Sequence, residues 1–255
     1  MITNQKKDLT EETIQLLAKE IIEKLKPKPL VGKALEIAEK LWIEQLNVEK
    51  NKLLKIRHQT YGDGSCGLYS LFDDKVVIDG VTYYKCNSKE KREEVCTWLK
   101  KLYDSKEGGA NLPPDIQKHL LTFLNTPKDL SLGEHKSLNN AIGSFYQNHL
   151  SKVKGKITVE DRKEFLADKK MFTEYLVYLK NPACDLYLAE LLAAAQCFNK
   201  TVELYEPFGD VHSRMSPTII ATKFNDKIDQ PVVTIWYDAK KKHYEKAEKK
   251  DTSTL

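Results

Sequence analysis

Apolar positions recur at helical spacing through the first part of the chain. Ile14, Leu17, Ile21, Ile22 and Leu25 predict an amphipathic helix over 9–26, opened by Asp8 three residues before Glu11 as a capping box and stopped by Pro27 and Pro29. A second helical stripe carries Leu35, Ala38, Leu41 and Trp42, and Leu53, Leu54 and Ile56 then run as a short extended segment into the loop Tyr61-Gly62-Asp63-Gly64-Ser65. Beyond Cys66 a short apolar helix (Leu68, Leu71, Phe72) precedes two β-type runs over 76–84, whose central Asp79-Gly80 suits a type I′ hairpin turn. From Ser88 to Lys180 the pattern is helical, with Val95, Trp98, Leu99 and Leu102 on one stripe, and Gly and Pro interrupt it at Gly108-Gly109, Pro113-Pro114, Pro127, Gly133 and Gly155. The stretch 183–198 is apolar almost all round and reads as a buried helix. Three strands are predicted after it, Thr201 to Tyr205, Thr218 to Thr222 and Val232 to Tyr237, while the residues from Lys246 look too polar to pack.

With 255 residues, 41% hydrophobic and 31% charged, the chain has material for one large domain or two small ones. The 41 Lys and Arg against 37 Asp and Glu leave +4, too weak an imbalance to argue for nucleic acid. Guanidinium comes from Arg57, Arg92, Arg162 and Arg214 alone, so no arginine cluster points to phosphate recognition, and the run Lys240-Lys241-Lys242 reads as a solvated turn. No apolar run approaches the roughly 20 residues of a membrane span, and the first residues lack the hydrophobic segment of a secretory signal, so a cytoplasmic protein is expected; a monomer is expected as well. Cys66, Cys86, Cys96, Cys184 and Cys197 are odd in number and lack zinc-ligand spacing, which predicts free thiols and no metal or other cofactor.

Cys66 stands apart from the other cysteines. It follows a glycine-bracketed turn and opens an apolar helix, where a helix N-terminus stabilises thiolate over thiol and unpaired backbone N–H groups can bind an oxyanion. The alternative is a plain strand-to-helix connection with Ser65 as cap and Cys66 as filler. A thiolate nucleophile needs a basic partner, and six histidines are available. His119 and His149 fall in helical stretches, and His58, His135 and His212 in polar connections; His243 follows an apolar strand and a lysine-rich turn, with Glu245 or Asp63 available to orient its ring. The alternative for His243 is a solvated hairpin residue.

The segment DGSCGLYSLF at 63–72 resembles the cysteine loop of the OTU (ovarian tumour) family of deubiquitinases, Asp-Gly-x-Cys followed by a helix. Residues 172–206 resemble that family's tyrosine-rich helix, Pro-containing loop, Glu-Leu helix and following strand, and 231–247 its last strands with the catalytic histidine. The resemblance implies an α/β (α+β) fold with an OTU-like, papain-type cysteine protease core, a small β-sheet flanked by helices. It implies Cys66 as nucleophile, His243 as acid and base, and Asp63 as organiser of the cysteine loop, with Gly64 and Ser65 at the oxyanion position and Glu190 matching the family's glutamate. Two departures stand out: Glu245 occupies the position where the family has Asp or Asn, which leaves the third triad member open between Asp63 and Glu245, and Cys184-Asp185 replaces Trp-Gly.

The implied organisation is an N-terminal helical arm (1–50), a catalytic domain (51–248) with a helical insertion lobe (88–170) resembling insertions in OTU enzymes of intracellular bacterial pathogens, and a polar tail (249–255). The implied partner is ubiquitin or polyubiquitin, with no nucleic acid and no membrane. Three readings compete: a deubiquitinase or a protease for another ubiquitin-like modifier, an inactive OTU-like ubiquitin-binding module, and a papain-like peptidase.

Overall fold

A computed structural model describes residues 31–105, 108–125, 136–147, 157–182, 184–209, 215–227, 229–238 and 241–250. The helix expected over 9–26 and the breaks at 127, 133 and 155 lie outside these residues. The fold is mixed α+β, and the described residues fall into two compact units, one within 1–48 and 208–218 and the other within 49–207 and 219–255.

The second helical stripe extends further than its apolar residues suggested, forming α1 (Lys33–Leu53). Within the first unit, the Trp42 indole N–H donates to the Met215 carbonyl at 3.0 Å. No described residue of α1 is buried, and Ile37 and Leu41 are exposed.

The second unit holds the core. Its chain runs β1 (Leu54–Lys55), β2 (Gln59–Thr60), α2 (Cys66–Ser70), β3 (Lys75–Ile78), β4 (Val81–Tyr84), α3 (Ser88–Tyr103), a 3-10 turn (Gly108–Asn111) and α4 (Pro114–Asn125). It continues through α5 (Lys136–Phe145), α6 (Val159–Ala167), α7 (Lys169–Lys180), α8 (Leu188–Cys197), β5 (Thr201–Phe208), β6 (Thr218–Phe224), β7 (Val232–Asp238) and β8 (His243–Lys249). The β3–β4 hairpin turns on Asp79 and Gly80, both at positive φ (51° and 78°) as a type I′ turn requires. Five strands form one sheet in the order β1-β8-β7-β5-β6, with β5 parallel to β7 and β8 antiparallel to both β7 and β1; β2, β4 and β3 form a smaller sheet.

Strand β8 is where the sequence reading fails. The residues from Lys246, expected to be unpacked, continue a strand held on both sides, and Ala247 is buried. The lysines remain compatible because their ammonium groups find acceptors: Lys246 Nζ donates to the Phe72 carbonyl (3.0 Å) and Asp73 (2.6 Å), and Lys249 pairs with Glu203 at 2.6 Å.

The buried helix predicted over 183–198 starts only at Leu188. The Glu190 carboxylate accepts the Tyr187 N–H at 3.0 Å and so sets the helix start, and the Leu186 N–H donates to the Gly64 carbonyl at 3.2 Å, holding the residues before the helix against the cysteine loop. Helix α8 then buries Leu191, Leu192 and Ala193 to Ala195 in one apolar core with Leu68, Leu71, Leu99, Ile116, Leu120, Phe165, Tyr175, Val202 and Ile235. The helical lobe and the sheet therefore share one core, and α2 sits between them.

Candidate active site

The cysteine loop is held in place by groups scattered over the chain. Gly64 takes φ +86°, a conformation that disfavours a side chain, and a Cβ there would lie 3.2 Å from the Cys184 carbonyl oxygen and 3.3 Å from an Asp185 carboxylate oxygen. Asp63 closes the loop from the other side: Oδ1 accepts the Ser65 N–H (3.2 Å), Oδ2 accepts the Tyr69 hydroxyl (2.8 Å), and Lys85 lies 3.8 Å away. Burial, with the Asp63 carboxylate adding to it, pushes the Tyr69 phenol up to about 12, so the donor stays protonated.

Arg92 was not singled out by sequence reasoning, yet it ties the loop together. It is 1% exposed; Nη1 donates to the Leu179 carbonyl (2.9 Å), and Nη2 reaches the carbonyls of Cys184 (2.6 Å) and Gly64 (3.2 Å) and the Ser65 hydroxyl (3.0 Å). One guanidinium fork thus binds the cysteine loop, the end of α7 and the strip before α8.

Helix α2 buries all five of its residues, Cys66 included. It is little more than one turn long, so the aligned peptide dipoles expected to stabilise a thiolate are few. Burial pushes the Cys66 thiol up, and Asp185 adds to this, against the N–H groups of Tyr244, Gly67 and Cys66 itself, which favour the thiolate. The lowered thiol pKa expected from the helix start is therefore overturned: desolvation outweighs the backbone donors.

The donor from Tyr244 is informative because Tyr244 follows His243 at the start of β8. A Cβ on Gly62 would lie 3.8 Å from Cε1 of His243, and one on Gly67 would lie 3.2 Å from the Tyr244 ring, so the two ends of the cysteine loop contact consecutive residues of β8. Tyr244 stacks on Tyr237 (centroids 4.7 Å apart) and is 5% exposed, which fixes the strand end beneath the loop. His243 Nε2 lies 3.0 Å from Thr60 Oγ1, and the Thr60 hydroxyl also reaches the Tyr244 carbonyl. Thr60, 3% exposed, carries no sequence signal beyond its place in an extended run.

The remaining candidates lie elsewhere in the network. Glu245 pairs with Lys50 at 3.4 Å, and the same ammonium lies 4.8 Å from the Trp236 ring centroid. The Glu190 side chain is 0% exposed and accepts from Tyr175 (2.8 Å) and Tyr187, with His119 Nε2 at 3.1 Å. Its carboxylate is enclosed as a cap on α8 and faces no solvent. The Ser65 hydroxyl is turned inward to Arg92 and its N–H to Asp63, so of the expected oxyanion donors in 64–66, that of Ser65 is already engaged. Among the described residues no group of three or more His, Cys, Asp or Glu is arranged to hold a metal ion, and no helix is long and apolar enough to cross a membrane.

No family model matches the chain, and no curated protein does. Among solved structures the chain is similar to the OTU domain of OTUD1, at 16% identity over 84% of this chain and 97% of that one, with a TM-score of 0.39.

Proposed function

We propose that the chain is a thiol hydrolase of the OTU type that cleaves the isopeptide bond at the C-terminal glycine of ubiquitin or of a ubiquitin-like modifier, with Cys66 as nucleophile and His243 as acid and base. The observation that carries this reading is the meeting of two motif segments far apart in sequence. The His243 ring approaches Gly62, and the N–H of the next residue, Tyr244, favours charge on the Cys66 sulfur. The order of the three motif segments along the chain supports the same reading.

In the proposed reaction His243 takes the Cys66 proton as the sulfur attacks the glycine carbonyl carbon, forming a C–S bond and a tetrahedral oxyanion. Collapse breaks the C–N bond, and the imidazolium gives its proton to the departing lysine amine. Water, deprotonated by the imidazole, then attacks the thioester, and the thiol regains its proton as the acid product leaves. Because burial penalises an isolated thiolate at Cys66, proton transfer to His243 and attack are expected to be coupled in this site.

The test is intact-mass analysis after incubation with ubiquitin bearing a C-terminal cysteine-reactive warhead, for wild type, Cys66→Ala and His243→Ala. The expected result is one adduct on wild type, none on folded Cys66→Ala, and slowed capture by His243→Ala. An adduct of undiminished yield on Cys66→Ala would overturn the assignment. A second reading, a ubiquitin-binding module without turnover, is favoured by the raised Cys66 thiol pKa; it predicts binding of unmodified ubiquitin with no adduct on the wild type.

A further inference from the structure

The resemblance leaves the orienting partner of the catalytic histidine open between Asp63 and Glu245, and the structure commits both carboxylates to other groups. Asp63 holds the Ser65 N–H and the Tyr69 hydroxyl beside Lys85, and Glu245 faces Lys50. The described side chain that does reach the His243 ring through a hydrogen bond is Thr60, 183 residues away in sequence, at 3.0 Å from Nε2.

We propose that Thr60 is the positioning residue of this site, accepting a hydrogen bond from the N–H at Nε2 of His243 and thereby leaving Nδ1 unprotonated as the proton acceptor for Cys66. The argument is one of donor counting. A threonine hydroxyl has one proton and two lone pairs. The Tyr244 carbonyl can only accept, so the Thr60 proton goes there. The contact with Nε2 is then a hydrogen bond only if the ring nitrogen donates, and in a neutral imidazole a proton on Nε2 leaves the lone pair on Nδ1. Burial sharpens the choice: Thr60 is 3% exposed, so a ring turned to present a second lone pair to its oxygen would leave two acceptors facing each other away from water.

The same hydroxyl also anchors the backbone of Tyr244, whose N–H faces the Cys66 sulfur, so one buried side chain fixes both the base and a thiolate-stabilising donor. A neutral hydroxyl cannot stabilise imidazolium as a carboxylate would. The device orients the ring and selects its tautomer, and leaves the charge to be carried by the thiolate formed beside it.

This inference rests on the proposed roles of Cys66 and His243, and its test separates the two. The variants are Thr60→Val, which keeps the shape and removes the hydroxyl, and Thr60→Ser, which restores it. The first readout is the tautomer of neutral His243 from nitrogen-15 chemical shifts of the free protein. The second is the rate of Cys66 capture by the ubiquitin warhead. The wild type and Thr60→Ser are expected to hold the proton on Nε2, whereas folded Thr60→Val loses that preference, with capture slowed about 10–100-fold and restored by Thr60→Ser. A wild-type ring protonated on Nδ1, or an unchanged tautomer and capture rate in Thr60→Val, would overturn the role of Thr60. If the tautomer responds as expected while wild type captures no ubiquitin warhead, the positioning role stands and the substrate assignment alone fails.

Discussion

Arg92→Met removes a buried guanidinium while keeping an unbranched apolar stem in its place. The structure sets the size of the effect. Four acceptors lose a charge-assisted donor: the carbonyls of Leu179, Cys184 and Gly64, and the Ser65 hydroxyl. Gly64 keeps the Leu186 N–H at 3.2 Å, and the Ser65 hydroxyl can still donate towards the Pro182 carbonyl at 3.5 Å, so the largest losses are the charge-assisted hydrogen bonds to the Leu179 and Cys184 carbonyls. Losing a hydrogen bond from a charged donor costs about 1.5–3 kcal/mol. Against this stands relief of the desolvated cation, whose Nε finds no partner and whose pKa burial lowers. The balance is a loss of about 2–4 kcal/mol, which for a chain of this size lowers the Tm by about 5–15 °C. Calorimetry or guanidinium unfolding of wild type, Arg92→Met and Arg92→Lys checks it. Lysine should fall between the two, because one ammonium cannot span acceptors on both sides of the fork.

The Arg92 argument also makes a local claim. Freed from the fork, the loop should expose the buried thiol, so a small neutral alkylating agent should label Cys66 faster in Arg92→Met, while capture by a ubiquitin warhead, which needs the ordered loop, slows. An Arg92→Met protein within about 0.5 kcal/mol of wild type, inside the range of ordinary surface substitutions, would refute the reasoning.

Two further outcomes follow from charge and burial. An exposed thiol ionises near 9.0, whereas burial pushes Cys96 up to about 12; above 9 the unfolded chain therefore binds fewer protons than the native one, and stability falls as pH rises through that window. Comparing guanidinium unfolding at pH 8 and pH 10, the wild type should lose about 1 kcal/mol more than Cys96→Ala, and equal losses would contradict the burial argument. Asp185→Asn removes a charge that raises the Cys66 thiol, so Cys66 alkylation at pH 8 should speed up about twofold to threefold, a modest effect because the carboxylate is exposed and screened; unchanged or slower labelling would show that its charge does not reach the sulfur.

The parts of the site legible in the sequence are those with local signatures. The glycine-bracketed turn before Cys66 announces itself because Gly64 needs positive φ, and His243 because it follows an apolar strand and its turn. Arg92 and Thr60 give weaker signals since each acts through partners far away in the chain. For Arg92 a clue existed: residues 92, 95, 96, 99 and 103 form one buried stripe of α3, and an arginine on that stripe is conspicuous in a chain with four arginines among 41 basic residues. For Thr60 none did, because a lone hydroxyl in an extended run has no period. Strand β8 escaped for another reason. Its buried residues, Tyr244 and Ala247, lie three apart and face opposite sides of the sheet, so the alternation that marks a one-faced strand is absent.

Strand β8 is also why distant segments meet. It lies between β7 and β1, with Trp236 opposite Glu245 and Leu54 opposite Lys249, so its register is fixed from both sides. The chain leaving β1 needs only a few residues to reach Thr60 beside His243, and a few more to set Cys66 on the same strand. In a strand, a shift of one residue turns every side chain to the opposite face. Such a slip would carry His243 away from Thr60 and the Tyr244 N–H away from the sulfur together. The geometry of the site is thus a property of the ladder more than of the loop that carries the cysteine. The Lys50–Glu245 pair and the Lys50–Trp236 contact lie next to the histidine and secure that register from the end of α1 that belongs to the same unit.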